Sequence, residues 1–316
     1  MKILITGIAG FIGSHVAEAF AEQGHEVFGV DNFNDYYDVG LKRMNAADVV
    51  SKGVKIIEAN LHEDLSGILP ESVDYIFHFA AQPGISASTS FSDYQKNNVW
   101  ATHQLLEWTK KCSPNVKLFV NISTSSVYGR VANLKETELT LPVSNYGVTK
   151  LAGEQLALAE QRSGTMKACS LRLYSVYGPR ERPEKLYTKL IKSIYEDLPF
   201  PLFEGSEKHS RSFTFVGDIV AAMLAVIGKE EILAGEIINI GSSAEHTTKE
   251  GIELIEKIIG KKAILETKPP RPGDQLRTTA IIDKAEELLG YSPNTSFEEG
   301  LRKQVAWYTE KFIVNA

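Results

Sequence analysis

A short apolar run, Lys2–Thr6, breaks into Gly7-Ile8-Ala9-Gly10-Phe11-Ile12-Gly13 and gives way to an amphipathic stretch reaching Gln23. Few features restrict a fold as much. Glycines at this spacing let the backbone turn tightly after a strand. They also let a pyrophosphate approach the main chain, and they aim the next helix N-terminus at it. Eighteen residues past Gly13, at the end of the next apolar run, stands Asp31. A carboxylate there accepts hydrogen bonds from a ribose diol and repels a 2′-phosphate, which favours NAD over NADP.

The alternation continues along the chain. Lys2–Thr6, His25–Asp31, Val54–Ala59, Val73–Phe79, Lys117–Ile122 and Ala168–Leu173 read as strands, with Phe11–Gln23, Tyr94–Lys111 and Tyr146–Gln161 as helices between them. Buried strands separated by helices give a parallel sheet covered on both faces. The fold class is therefore α/β, with a doubly wound, Rossmann-like sheet. Past Tyr177, prolines and glycines punctuate shorter elements and the rhythm is lost. This predicts an NAD-binding domain over residues 1–173 and a smaller C-terminal α/β substrate domain over 174–316. Segments near 212–240, Ser212–Val216 and Ile237–Ile240, are expected to return to the first as extra strands.

Composition narrows the classes. The 34 Lys and Arg against 40 Asp and Glu leave a charge of −6, with no basic stripe for nucleic acid. No apolar run approaches the roughly 18 residues of a membrane helix. Cys112 and Cys169 supply neither a disulfide framework nor a four-ligand zinc site, so no metal is expected and a reducing compartment, the cytoplasm, is.

Tyr146-Gly147-Val148-Thr149-Lys150 opens a predicted helix, and positions four apart share a face. A phenol titrates near 10. Lowering it by about three units takes roughly 4 kcal/mol, which an adjacent ammonium and a positive nicotinamide ring would supply together. Upstream, the strand Lys117–Ile122 runs into Ser123-Thr124-Ser125-Ser126-Val127-Tyr128-Gly129, and hydroxyls at that end of a parallel strand face the ligand crevice.

Taken together, Gly7–Gly13, His78-Phe79-Ala80-Ala81, Ser123–Gly129, Tyr146-x-x-x-Lys150 and Arg172–Pro179 resemble the extended short-chain dehydrogenase/reductase family, in its nucleotide-sugar epimerase branch. The resemblance implies that Tyr146 is the general base and acid, that Lys150 also binds the nicotinamide ribose, and that Thr124 completes the proton path. It places Phe11, Ile12, Asn32, Asn60, Leu61, Ala80, Ala81 and Asn98 at the cofactor, and His78 in a packed position beside it. It also assigns Arg211 and Arg271 to a nucleotide diphosphate and Asp274 to its ribose. Two guanidinium groups suit a diphosphate because each binds bidentately and stays charged.

Relatives that dehydrate the sugar carry Asp-Glu after the threonine, and decarboxylating relatives keep the Glu; this chain has Ser125 and Ser126. Neither serves as a carboxyl acid or base, which leaves reversible C4 epimerisation of a UDP-sugar through a transient ketone, with NAD retained. The stretches Asp31–Tyr37 and Tyr177–Pro183 are similar to those of UDP-glucuronate 4-epimerases. Thr124, Ser125, Ser126 and Ser175 would then surround a C6 carboxylate, with Arg182 supplying charge. One departure stands against this: many such epimerases have Gly-Val-Arg where this chain has Gly84-Ile85-Ser86. Asn60 stands where many relatives have an adenine-binding aspartate, and its amide oxygen can still accept from the adenine amine. A UDP-glucose or UDP-N-acetylglucosamine epimerase is the alternative. Apolar residues on more than one side of Tyr94–Lys111 and Tyr146–Gln161 fit the homodimer seam of the family.

Overall fold

Seven parallel strands form the central sheet of the computed structural model, which describes residues 1–86, 88–270 and 277–314. They are β1 (Lys2–Thr6), β2 (Glu26–Asp31), β3 (Lys55–Glu58), β4 (Tyr75–His78), β5 (Leu118–Thr124), β6 (Ala168–Leu173) and β7 (Ile237–Ile240). Across the sheet they run β3-β2-β1-β4-β5-β6-β7. Every residue of β4, β5 and β6 is buried, as strands covered on both faces must be. The order reverses beside β1, which pairs with β2 on one side and β4 on the other. Chain leaving β1 and β4 therefore diverges, and a crevice opens at the carboxyl ends of the strands.

Four helices matter most for that crevice: α1 (Phe11–Glu22), α2 (Val39–Ser51), α3 (Ala101–Cys112) and α4 (Asn145–Arg162). The predicted helix Tyr94–Lys111 is realised as a rod from Phe91 to Cys112 that widens into π geometry over Gln95–Trp100. Within it the Thr102 hydroxyl donates to the Asn98 carbonyl at 2.8 Å, and the Asn98 side-chain amide bonds Gln82 and Thr149. Helix α2 went unread because its inward face is polar, with Lys42 and Asn45 buried on it.

The C-terminal half divides its loyalties. Helices α5 (Leu186–Tyr195), α7 (Thr248–Ile259) and α9 (Phe297–Thr309) enclose a core that includes Tyr177, Tyr187, Phe215 and Phe297. Helices α6 (Val216–Leu224) and α8 (Asp283–Leu289) instead pack Ile219, Met223, Ala285 and Leu289 into the core shared by Ile3 and Ile5. Ile237–Ile240 joins the central sheet as β7, beside β6. Ser212–Val216 does not join it: Thr214–Phe215 pairs with Val176–Tyr177 in a separate two-stranded sheet. The reason is the break after Leu173, which turns the chain off the sheet axis before Val176. Ser175 takes a positive φ of 26° in that break.

One buried ion pair ties the layers together. Arg172 on β6 donates through Nε and Nη2 to the Glu154 carboxylate of α4 at 3.0 and 2.6 Å, and both side chains are shut off from water. The guanidinium also lies over the Tyr128 ring, 4.8 Å from its centre. Glu154 sits one turn beyond Lys150 and two beyond Tyr146, so this pair fixes the helix that carries them. Removing one partner of a buried pair strands the other charge. Glu154→Ala is expected to cost about 3–5 kcal/mol of unfolding free energy, measured in urea by circular dichroism. The double variant Glu154→Leu/Arg172→Met should lose less than the single one, since no uncompensated charge remains.

Candidate active site

A single cleft runs from the β1–α1 turn, across the ends of β4, β5 and β6, to the C-terminal core. At its cofactor end the glycine turn is built as the sequence requires. Gly7 has φ +69°, its N–H donates to Val30 O at 2.8 Å, and a Cβ there would stand 2.8 Å from Ala80 N. A Cβ on Gly13 would strike the Gly7 carbonyl oxygen. Helix α1 starts after Gly10 with no side-chain cap, so its first N–H groups point at whatever occupies the turn.

Asp31 braces this turn from the next strand. Its carboxylate accepts from Ala9 N at 3.0 Å and Phe33 N at 2.9 Å, and burial pushes its pKa up. From α2, Asn45 donates to Ala9 O at 3.0 Å. Asn32 donates to Asn60 Oδ1 at 2.9 Å, and Asn32, unlike Asn60, lines the cleft. Phe11, Ile12, Leu61, Ala80 and Ala81 complete the walls at this end.

One expectation changes here. Asn98 does not line the cleft. It is buried, its amide group donates to Gln82 O and Thr149 Oγ1, and its carbonyl accepts from Gln82 N at 2.7 Å, so it positions the segment after β4. His78 is packed, as the resemblance implies. Because Thr102 Oγ1 gives its proton to Asn98 O, His78 Nε2 must be the donor in its 2.9 Å contact with Thr102, and Nδ1 faces Thr6 Oγ1 at 2.8 Å. Burial drives its pKa down to about 3, so the ring is neutral.

At the other end stand Thr124, Ser125, Ser126, Tyr146, Lys150, Ser175 and Arg182. Thr124 closes β5 and caps the helical turn Ser125–Tyr128, receiving Ser126 N at 3.2 Å. Ser144 caps α4 by accepting from Gly147 N at 3.1 Å, which sets the first turn that displays Tyr146. In the protein alone, burial raises the Tyr146 pKa, partly offset by hydrogen bonding with Thr124 and by the charge of Arg182; the lowering expected from the sequence calls on the nicotinamide ring as well. The Lys150 ammonium is buried and its own pKa is depressed by burial to about 8, with Glu154 opposing the drop. Arg182 is a cation that acts on the phenol.

Further along, the cleft is lined by Lys185 and Arg211 and walled by Phe203 and Phe213. Lys185 was not foreseen from the sequence. It follows Glu184 directly after Pro183, so reading the proline-bounded turn two residues further reaches it. Lys42 was also missed. It lines the cofactor end and donates to Asn34 O and Oδ1, both at 2.6 Å. Arg271 and Asp274, expected on the nucleotide, lie outside the described residues.

The model of the NAD dependent epimerase/dehydratase family matches residues 3–241, and the chain belongs to that family. Its likeness to individual members spans the whole length. It is 39% identical to the uncharacterized UDP-glucose epimerase YtcB of Bacillus subtilis, over 99% of each chain. It is 35% identical to the UDP-glucuronate 4-epimerase of Thermodesulfobacterium geofontis, over 97% of this chain and 96% of that one. The fold superposes with a TM-score of 0.92 on a Bacillus cereus UDP-glucuronic acid 4-epimerase, at 36% identity over 98% of this chain and 99% of that chain. That protein was solved as a tyrosine-to-phenylalanine variant with UDP-4-deoxy-4-fluoro-glucuronic acid and NAD.

The bare glycine turn, the uncapped helix and the Asp31 carboxylate fit NAD, the cofactor of this family. The depressed Lys150 pKa yields a stability test. Its folded value of about 8 lies below the ordinary 10.5, so the unfolded chain holds the extra proton between those limits and wild-type stability rises with pH there. Lys150→Met removes a strained buried charge. It should stabilise the cofactor-free fold most below pH 8, with the advantage shrinking towards pH 10.5, as unfolding in urea at several pH values would record.

Proposed function

We propose that the chain is a UDP-glucuronate 4-epimerase, interconverting UDP-glucuronate and UDP-galacturonate with its NAD retained. The observation that carries this reading is the arginine at the reaction centre. Arg182 is close enough to the Tyr146 phenol to lower its pKa, and its side chain is only 11% exposed. A guanidinium enclosed that deeply calls for an anion, and Ser125, Ser126 and Ser175 line the same end of the cleft. A carboxylate at C6 of the sugar answers all four groups.

NAD, when bound, supplies a reversible acceptor for the hydrogen at C4. The chain's own residues manage the proton. Tyr146 takes it from the C4 hydroxyl and returns it, with Thr124 as the partner that shares the hydrogen bond. Burial keeps the phenol protonated in the bare protein, so its proton is released only when positive charge is gathered beside it. Lys150, held on the same helix face, is placed for the ribose of the cofactor.

The acidic residues of the cleft support epimerisation over elimination. Asp31 is spent on the glycine turn. Glu181 accepts from Thr188 and Gln304 on the side of the C-terminal core. Glu184 faces Arg182. A second reading, turnover of UDP-glucose, draws support from the likeness to YtcB. For the assembly we propose a homodimer through α3 and α4, on whose rod Trp100 and Val148 are half-exposed. The compartment proposed is the cytoplasm, in keeping with two free thiols.

Proton NMR of the anomeric signals, with UDP-glucuronate, UDP-glucose and UDP-N-acetylglucosamine offered in turn and no NAD added, tests the proposal. Conversion of UDP-glucuronate to its C4 epimer is expected, and a stable keto product or release of CO₂ would refute it. Tyr146→Phe should bind substrate yet lose more than about 10³-fold in rate. Arg182→Ala should weaken UDP-glucuronate more than UDP-glucose in steady-state kinetics.

A further inference from the structure

Arg182 has an acidic companion inside the cleft. Glu184 Oε1 lies 2.7 Å from Arg182 Nη1. Nevertheless Nη1, shut off from water, makes no hydrogen bond at all. The two groups meet by charge, off the line of the N–H bond. Aligned, bidentate pairing is what gives arginine–carboxylate contacts their strength, and this contact lacks it. The partners also differ in setting. Arg182 is held over the Tyr36 ring and against Gly84, whose ideal Cβ would be 3.1 Å from Nη2, whereas the Glu184 side chain is 44% exposed. One partner is fixed; the other has water to move into.

We propose that Glu184 sets the sugar specificity of the site. Its carboxylate neutralises Arg182 whenever no uronate is bound, and it competes with the C6 carboxylate of the substrate for that guanidinium. The inference rests on the assignment of Arg182 to the sugar carboxylate. A UDP-uronate displaces Glu184 into solvent and makes the directed bonds that Glu184 does not. A neutral UDP-hexose leaves Glu184 in place, which spares the site an unpaired buried cation. The pair thus narrows the difference in affinity between the two substrate classes, because part of what the uronate gains it must first take from Glu184.

The test uses the holoenzyme and three ligands, UDP-glucuronate, UDP-glucose and UDP, with dissociation constants from titration calorimetry and KM from steady-state turnover. In Glu184→Gln the constants for UDP-glucuronate should fall about fivefold, the worth of one modest ion pair. UDP-glucose should bind as before or more weakly, and UDP, which has no sugar, should be unaffected. A double cycle with Arg182→Ala adds a readout that a structural role would not move: without Arg182, Glu184→Gln should shift the two sugars far less unequally. An equal shift on both sugars, no shift, or weaker uronate binding in Glu184→Gln would each overturn the inference, the last by showing that Glu184 orients Arg182. If the wild-type enzyme does not convert UDP-glucuronate, the function proposed above fails and takes this inference with it. Normal conversion with an unchanged affinity ratio in Glu184→Gln sinks the inference alone.

Discussion

The site depends on the salt bridge between Glu154 and Arg172. Burying two charges rarely adds stability over well-packed apolar groups, because each must be stripped of water. Here the pair acts as a locating pin. Arg172 ends a strand whose continuation carries Ser175, Arg180 and Arg182; Glu154 sits on the helix that displays Tyr146 and Lys150. Joining those two residues by two aligned bonds fixes the angle between the proton-handling helix and the loop that brings charge to it. Tyr128, stacked on Arg172 and bonded through its hydroxyl to Asn239 Oδ1 at 2.8 Å, extends the same pin to β7. An apolar replacement would pack there, but it would not dictate register.

A related clasp steadies the loop itself. Arg180 takes a positive φ of 66° and reaches back to Glu18 on α1 and Asp48 on α2, at 2.7 and 3.0 Å. His15 adds a 2.9 Å contact with Pro179 O, and burial holds its ring neutral with a pKa of about 4. The strained backbone at Arg180 is held by charges on the very helices that frame the glycine turn. The loop bearing Arg182 is therefore anchored to the cofactor end of the cleft as well as to β6, and a sugar between them meets walls whose spacing is set from both sides.

What could be read in advance follows from the range of the forces involved. The glycine turn, the alternation of strands and helices and the Tyr-x-x-x-Lys face are local patterns, each written within a few residues, and the fold class and most of the cleft follow from them. The helix Asn145–Arg162 and the strand Ala168–Leu173 lie where periodicity puts them. The rod over Phe91–Cys112 also covers the predicted helix, but its π geometry over Gln95–Trp100 is not written in the periodicity. Helix α2 escaped notice for a related reason. Its buried face holds Lys42 and Asn45, whose partners Asn34 and Ala9 appear only once the chain is folded. Spacing reveals which groups stand near the phenol but not how much water has been removed from it, so the upward push of burial was not legible there.

The distribution of charge along the cleft shows how chemistry and substrate choice are kept apart. The groups proposed to handle the proton sit on regular elements, at the end of β5 and the start of α4, where hydrogen-bonded backbone and packed side chains hold them still. The charged groups at the other end of the cleft, Arg182, Glu184 and Lys185, sit in the loop between the Val176–Tyr177 strand and α5. Lys185 illustrates the cost of that arrangement. Burial first, and then the charges of Arg182 and Arg211, push its pKa down to about 8, with Glu181 and Glu184 opposing the drop. Changes in the loop can alter which sugar is taken while the phenol, its threonine and the pinned helix remain as they are.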